Sequence, residues 1–353
     1  MTLRRVQVTD FRCLHSAALE LDSRYTLISG PNASGKTSLL EAIYILGRGR
    51  SFRTRHTDHL ILRGAERFVV FGEVQAGERH VPIGIEGSAA GLRAKVSGER
   101  PGTLAELALQ LPVQIIDPEV HRLIEEGPSR RRRFLDWGVF HVEHDFVGYW
   151  QRYHQALRQR NAALKTRQAS LVTAWNADLV RFGQLVTDAR RRYVEALSVH
   201  AVPIAAALLG MDMGLSYRAG WTKGEAFGSV LSESLSKDLE MGTTQVGPHR
   251  AELAIRLGGL PVKDRISRGQ QKLLAAALLV AQINLFPDDA DIRPTLLLDD
   301  PAAELDDERL AKLIHEVSAQ AVQLIVTTLH GEFSAFGRPG RSFVIESGTV
   351  NAI

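Results

Sequence analysis

Apolar and polar residues alternate at the start of the chain. Val6, Val8 and Phe11 sit between polar neighbours, and the pattern returns over Ala18 to Leu21. Period-two alternation of this kind predicts two half-buried strands. Tyr25 to Ser29 reads as a short buried strand, after which Leu39, Leu40, Ile43 and Leu46 recur at helical spacing. Strands follow over Phe68 to Val74, Val81 to Ile85 and Leu92 to Val96, broken by glycine turns, and over Val113 to Ile116. Pro118 and Pro128 each occupy the first position of a short predicted helix. From about Glu143 to Ala201 the period changes to three and four. Trp150, Tyr153, Leu157, Leu164, Leu171, Trp175, Leu179, Phe182, Val186 and Tyr193 form one seam, which predicts two antiparallel helices with a turn near Thr166 to Ser170. Pro203 limits their end. A strand over residues 251 to 257, a helix from about 266 to 285, and a strand over Thr295 to Leu298 come next. A helix at about 307 to 318, the strand Val322 to Val326 and strands near 342 to 352 close the chain.

Between the buried strand and its helix lies Gly30-Pro31-Asn32-Ala33-Ser34-Gly35-Lys36-Thr37, followed by Ser38, which fits the G-x4-G-K-[ST] phosphate loop. The strand–loop–helix context is what that motif requires. Successive backbone N–H groups and the helix N-terminus face the phosphates, Lys36 reaches the β/γ-phosphates and the Thr37 hydroxyl is one Mg²⁺ ligand. The strand Thr295 to Leu298 ends in Asp299-Asp300. Asp299 is placed to hold Mg²⁺, and Asp300 to orient or deprotonate an attacking water. Ser267-Arg268-Gly269-Gln270 opens a further helix, and a serine and glycine at a helix N-terminus suit an anion.

These segments in this order resemble the signature, Walker B and D-loop elements of the ABC-type ATPases, with A-E-L-D at 303 to 306 as the D-loop. A narrower resemblance covers nearly the whole chain. V-T-D-F-R-C-L, S-G-P-N-A-S-G-K-T-S-L-L-E-A-I, G-R-G-R-S-F-R-T, L-P-V-Q-I-I-D-P-E, R-R-R-F-L-D-W-G-V-F-H-V-E, V-G-P-H-R-A-E-L and S-R-G-Q-Q-K are similar to the RecF family of bacterial recombinational repair. That resemblance implies an α/β ABC-type head, a mixed sheet with an antiparallel subdomain, plus a helical second lobe with a short coiled-coil-like arm. Residues 1–140 and 245–353 are assigned to the first lobe and 141–245 to the second, with the helix 266–285 near their junction. It also implies a cytoplasmic ATPase that forms an ATP-dependent homodimer, binds DNA, and acts with RecO and RecR to place RecA on single strands. In such a dimer Ser267, Arg268, Gly269 and Gln270 complete the partner's ATP site, and Asp306 crosses the interface. Arg268 stands where the ABC-type ATPases usually have glycine, and Asp300 where many of them have glutamate, whose longer arm suits faster hydrolysis. Gln114 is assigned to the glutamine that senses Mg²⁺ and water. The neighbourhood of the switch histidine holds Thr327-Thr328, with His330 two residues late. The alternative is the ATPase subunit of another ABC- or SMC-type assembly. The insert is too short for a long SMC arm, and a transporter subunit carries its signature much nearer the phosphate loop.

Composition narrows the picture modestly. Cys13 is the sole cysteine, which excludes an intramolecular disulfide and a Cys-rich metal site. Met1 to Arg5 is followed by alternation rather than an apolar run, so no signal peptide is expected, and the longest apolar run, Leu273 to Ala281, is too short to span a bilayer. A net charge of +3 permits a polyanionic partner but requires clustering to matter. Arg48, Arg50, Arg53 and Arg55 supply one cluster after the phosphate-loop helix, and these are the residues expected to meet DNA phosphates. Arg130 to Arg133 form a second run, which pairing with Glu125 and Glu126 accounts for equally well. His249 and Arg250 of G-P-H-R receive no role beyond a turn before a strand.

Overall fold

The computed structural model describes residues 1–101, 104–262, 266–286, 293–303, 306–320, 322–329 and 335–353. In chain order its first half comprises β1 (Thr2–Phe11), β2 (Leu14–Glu20), β3 (Tyr25–Ser29), α1 (Lys36–Arg48), β4 (Arg67–Ala76), β5 (Arg79–Ser88), β6 (Gly91–Val96), α2 (Leu104–Gln110), β7 (Val113–Ile116), α3 (Arg122–Glu125), α4 (Pro128–Val142) and α5 (Phe146–Lys165). There follow α6 (Ala169–Ala174), α7 (Asn176–Leu209), β8 (Met213–Arg218), α8 (Phe227–Glu233), α9 (Leu235–Met241), β9 (Glu252–Leu257), β10 (Leu260–Pro261), α10 (Arg268–Ile283), β11 (Thr295–Asp299), α11 (Asp307–Ser318), β12 (Gln323–Thr328), β13 (Arg341–Glu346) and β14 (Thr349–Ala352). They pack as two compact units, Met1–Val120 with Phe286–Ile353, and His121–Leu285.

The first unit holds two sheets. An antiparallel sheet runs β2-β1-β4-β5-β6, and its alternation is the one written in the sequence, with Val6, Val8, Val70 and Ile83 buried. A second sheet runs β14-β13-β3-β12-β11-β7, parallel from β13 to β7 with β14 added antiparallel. Every residue of β3, β11 and β12 is buried. Central parallel strands covered on both faces read as continuous apolar runs rather than alternating ones. The apolar face of α1, including Leu39, Leu40, Ile43 and Leu46, shares one core with residues of both sheets.

The second unit is mainly helical. α5 and α7 pack against one another as the seam requires, with α6 inserted in the connection. Val172 rather than Leu171 faces inward there: Leu171 is 49% exposed. α7 does not stop at Pro203 but continues to Leu209, where Gly210 caps it at φ +66°. Proline removes one helical hydrogen bond, and the packing of α7 on α5, α10 and β8 outweighs that loss. By length and composition α7 is apolar enough to cross a membrane, yet its buried face carries Arg190, paired to Asp136 at 2.6 Å, as in a core helix. Pro118 opens a turn before α3 rather than a helix, whereas Pro128 begins α4 as expected. The strand β8 and helices α8 and α9 were not anticipated; each is six or seven residues long.

The expected partition of the chain differs from the one the packing draws. α4 packs on α7 and β9, α10 packs on α7, and β9 pairs with β8. Residues 121–140 and 245–285 therefore cluster with the helical unit instead of the sheet-bearing one. At the centre of this unit Arg160 is completely buried and donates to Asp238 at 2.7 Å, Thr244 at 2.7 Å and Asn176 at 2.9 Å, joining α5, α9 and the start of α7. Removing one partner of such a pair strands the other charge away from water. Asp238→Ala is expected to lower the unfolding free energy by about 3–5 kcal/mol, measured by urea denaturation.

Candidate nucleotide-binding site

The loop after β3 is shaped by contacts that only glycine permits. A β-carbon at Gly30 would lie 2.2 Å from the Ile345 carbonyl oxygen, and Gly35 enters α1 at φ +115°. The loop is tied in place by Gly30 N–H to the Thr328 carbonyl at 3.2 Å and by Gly348 N–H to the Ser34 carbonyl at 2.9 Å. Lys36 curls beneath it, donating to the carbonyls of Gly30 at 2.6 Å and Pro31 at 2.9 Å. Those bonds occupy two of the three ammonium N–H groups.

β12 lies between β3 and β11, and its side chains complete the site. Thr37, one residue into α1, donates its hydroxyl to Asp299 Oδ2 at 2.8 Å. Thr327, level with Asp299 in the parallel register, donates to Asp299 Oδ1 at 2.8 Å. The same Thr327 oxygen accepts the Asp300 N–H at 3.0 Å. Asp300 adopts φ +46°, a left-handed conformation that directs the chain out of the strand there. Thr327 thus fixes both acids: the carboxylate of one and the backbone of the next. In sequence this buried threonine is distinguished only by occupying the neighbourhood of a switch histidine. His330 lies outside the described residues, as do Glu304 and Leu305 of the D-loop segment.

Two sequence-predicted roles change. Gln114 pairs in register with Leu296, three residues before Asp299 along the parallel strands. At about 3.3 Å per residue that leaves it roughly 10 Å short of the acidic strand end. Its carbonyl oxygen accepts from Arg48 Nη2 at 2.9 Å, so it is a buried partner of Arg48 and not a sensor at the strand end. Arg48 in turn donates to the Val113 carbonyl at 3.0 Å and lies over the Tyr44 ring at 5.4 Å. Desolvation pulls its guanidinium down to about 10. Arg48 is accordingly committed to the interior and leaves the predicted DNA set.

The remainder of that loop is organised by Glu41, which lies outside the G-x4-G-K-[ST] motif. Glu41 sits on α1 with no solvent exposure. It receives a two-pronged contact from Arg12, Nε at 2.9 Å and Nη2 at 2.8 Å, together with the Ser51 hydroxyl and, at 3.6 Å, Arg53. Ser51 then accepts the N–H groups of Arg53 and Thr54. Arg50 and Arg55 are exposed and Arg53 is 45% exposed, so three of the four arginines stay available to solvent. A buried glutamate in an apolar helical stripe is the signal that would have found this network.

On the second unit, Ser267 begins α10 with a reciprocal capping box: its hydroxyl accepts the Gln270 N–H at 3.2 Å while its own N–H donates to Gln270 Oε1 at 3.0 Å. Ser267 is exposed. Arg268 donates to His121 Nε2 at 3.1 Å and secures the helix start to the turn before α3. Asp306 in the first unit caps α11, accepting from the Arg309 N–H at 3.0 Å. The second arginine run is largely spoken for, with Arg130 on Glu126 at 2.9 Å and Arg131 on Glu252 at 2.7 Å. His249 of G-P-H-R acquires a role: its Nε2–H donates to the Thr244 carbonyl at 3.0 Å, and Nδ1 accepts from the Tyr153 hydroxyl at 2.6 Å. Burial holds this imidazole neutral, pulled down to about 4.

A phosphate loop on β3, an acid strand two places away in a parallel sheet and a separate serine-glycine helix start define an ABC-type ATPase head. Comparison with known proteins agrees. The RecF/RecN/SMC N-terminal domain matches residues 2–339. The chain is 37% identical over its full length to the whole of the DNA replication and repair protein RecF of Shewanella frigidimarina, and 38% identical to that of Yersinia pestis, covering 99% of this chain and 98% of the relative. The solved structure of the recombination mediator protein RecF with ATP, of the RecFOR pathway, superposes with a TM-score of 0.89 at 28% identity, covering 100% of this chain and 97% of that one. An Smc head bound to the C-terminal winged-helix domain of ScpA shares the fold, with a TM-score of 0.63 at 17% identity. The chain belongs to the RecF family.

Thr327→Val keeps the volume but leaves an Asp299 oxygen and the Asp300 N–H without their partner. Steady-state ATP turnover is expected to fall about tenfold or more, while Thr327→Ser retains most of it. For His249 the unfolded imidazole titrates near the ordinary ~6.5 and the folded one near 4, so the unfolded chain binds more protons between those values. The stability contributed by His249 is complete above about pH 6.5 and is lost as pH falls toward 4. Urea denaturation should show the margin of wild type over His249→Gln narrowing across that window.

Proposed function

We propose that this chain is an ATP-gated, DNA-binding recombination mediator, in which ATP closes two copies head to tail and slow hydrolysis reopens them. The observation that carries the reading is the run of bonds from Thr37 through Asp299 to Thr327 beside the Lys36 cradle. A hydroxyl and a carboxylate are the oxygen donors Mg²⁺ takes when phosphate oxygens and water supply its other ligands. Among the described residues no group of three or more His, Cys, Asp or Glu side chains could hold a metal, which fits a cation held mainly by the nucleotide. Bound there, Mg²⁺ would neutralise charge on the β- and γ-phosphates. Lys36 would give its remaining N–H to the γ-phosphate, and the backbone N–H groups of Gly35 to Ser38 would complete the cradle. Asp299 would be oriented toward the cation by its two hydroxyl donors. Asp300 would receive the water proton as general base, its backbone fixed by Thr327.

Closure would bring the Ser267 start of α10 of one copy to the γ-phosphate of the other. The Ser267 oxygen already accepts from Gln270, but its own O–H remains a donor suited to a phosphate oxygen. Asp306 would exchange its Arg309 contact for one across the interface. Nucleotide that binds both copies stabilises the pair by its differential affinity for the closed state. Arg50, Arg53 and Arg55 would meet DNA phosphates without reading sequence. By family resemblance, RecO and RecR would be the partners through which RecA is placed on single-stranded DNA, in the cytoplasm.

Sedimentation of the wild type with ATP and Mg²⁺ is expected to give a dimer that disappears in Lys36→Met. Asp300→Asn should instead accumulate the dimer and bind DNA persistently, with turnover reduced by about a hundredfold or more. A wild type that stays monomeric with ATP and DNA present would overturn the gating reading.

A further inference from the structure

Two motifs of the second unit, R-R-R-F-L-D-W-G and V-G-P-H-R-A-E-L, take no part in the ATP site, yet the fold brings them into one cluster. Arg132 on α4 donates Nη1 to the Ala251 carbonyl at 2.8 Å. Ala251 directly follows Arg250, which closes the G-P-H-R turn. Arg131 grips Glu252 with two bonds, 2.7 and 2.9 Å, and Arg190 takes Asp136 at 2.6 Å while donating to the Pro248 carbonyl at 2.7 Å. Trp150 claims the other Asp136 oxygen at 3.1 Å. The two carboxylates of the cluster are therefore both engaged by inner groups. Arg132 and Arg250, in contrast, have no carboxylate within ion-pair reach among the described residues: Arg132 makes its bond to a neutral carbonyl, and Arg250 reaches only the Gln245 side chain at 3.3 Å.

The cations crowd one another. Burial first, then Arg190, and further along Arg250, pull the Arg132 guanidinium below its ordinary value, with only partial relief from Glu252 and Asp136. Positive charge held together without counter-charge is unfavourable by itself and is relieved by an anion. More cations border the same turn. Gly247 N–H donates to the Gly220 carbonyl at 3.2 Å, seating the segment 220–224 with its exposed Lys223 against G-P-H-R. Arg218, exposed at the end of β8, is level with Glu252 of β9. Trp221 in that segment is stacked on Phe227 at 4.6 Å, which stiffens it. Glu225 is the exposed carboxylate of the stretch, and its backbone carbonyl accepts from Trp221 at 3.2 Å.

We infer that Arg132 and Arg250, flanked by Arg218 and Lys223, form a phosphodiester-binding surface on the 121–285 unit, separate from the arginine loop after α1. The inference rests on the reading of this protein as a DNA binder and adds a second point of contact to it. Guanidinium groups anchored through neutral oxygens, the Ala251 backbone carbonyl for Arg132 and the Gln245 side-chain amide for Arg250, with no carboxylate partner, present preset donors to phosphate oxygens. A surface of this kind contributes affinity and salt dependence, not sequence choice.

The test is binding of the full chain with ATP to a fluorescent duplex across a salt series, comparing wild type, Arg250→Ala, Arg250→Lys and the double variant Arg132→Ala/Arg250→Ala. Thermal midpoint and basal ATPase are recorded for each, since Arg132 also contacts the backbone. The double variant is expected to bind about tenfold more weakly and to lower the salt slope by about two, with Arg250→Lys restoring most of the single loss. Unchanged affinity and slope in folded variants, with wild type binding normally, would remove this surface and leave the DNA reading standing. A wild type that binds no duplex would overturn both. Polyglutamate bound by wild type and lost in the variants, with duplex affinity intact, would reassign the patch to acidic protein segments and overturn the proposal.

Discussion

The Asp299 carboxylate, held from one side by Thr37 and from the other by Thr327, is the contact on which the ATP site depends. It joins the helix after the phosphate loop to strands that are far away in sequence, and it does so at the carboxyl end of a parallel sheet. That is where backbone dipoles and loop N–H groups already favour an anionic ligand. Without Thr327, the acid strand would meet the cradle with one oxygen unrestrained. With it, the Asp299 carboxylate and the backbone of Asp300 are held in place by the protein itself, the kind of preorganisation that phosphoryl transfer relies on.

The sheet-bearing unit was legible in the sequence to a large degree. β3, β11 and β12 announce themselves as short apolar runs because both their faces are covered, and β1, β4 and β5 as alternating ones because a single face is. The glycine-lysine-threonine spacing fixed the loop and its helix. What escaped were features decided by tertiary packing. Pro203 lies inside a helix since one absent hydrogen bond is small against the contacts of α7, and β8, α8 and α9 are too short to show periodicity. The boundary between units was misplaced because α4 and α10 look, in sequence, like any amphipathic helix; only their partners reveal where they belong.

Side-chain roles follow the same division. Lys36, Thr37 and Asp299 are confined by a motif whose spacing carries its chemistry. Gln114 and Arg48 are not: each is a polar residue beside an apolar run, and nothing in the order of letters says that the two satisfy one another. Glu41 is the converse case, a charge in the middle of a buried stripe that is intelligible only once Arg12, Ser51 and Arg53 are seen converging on it.

That convergence has a mechanical corollary. Glu41 projects from the helix that follows the phosphate loop, and it holds the segment carrying the exposed arginines by direct contacts from Ser51 and Arg53. The segment is thus tied to the helix at the buried acid as well as through the chain that joins them.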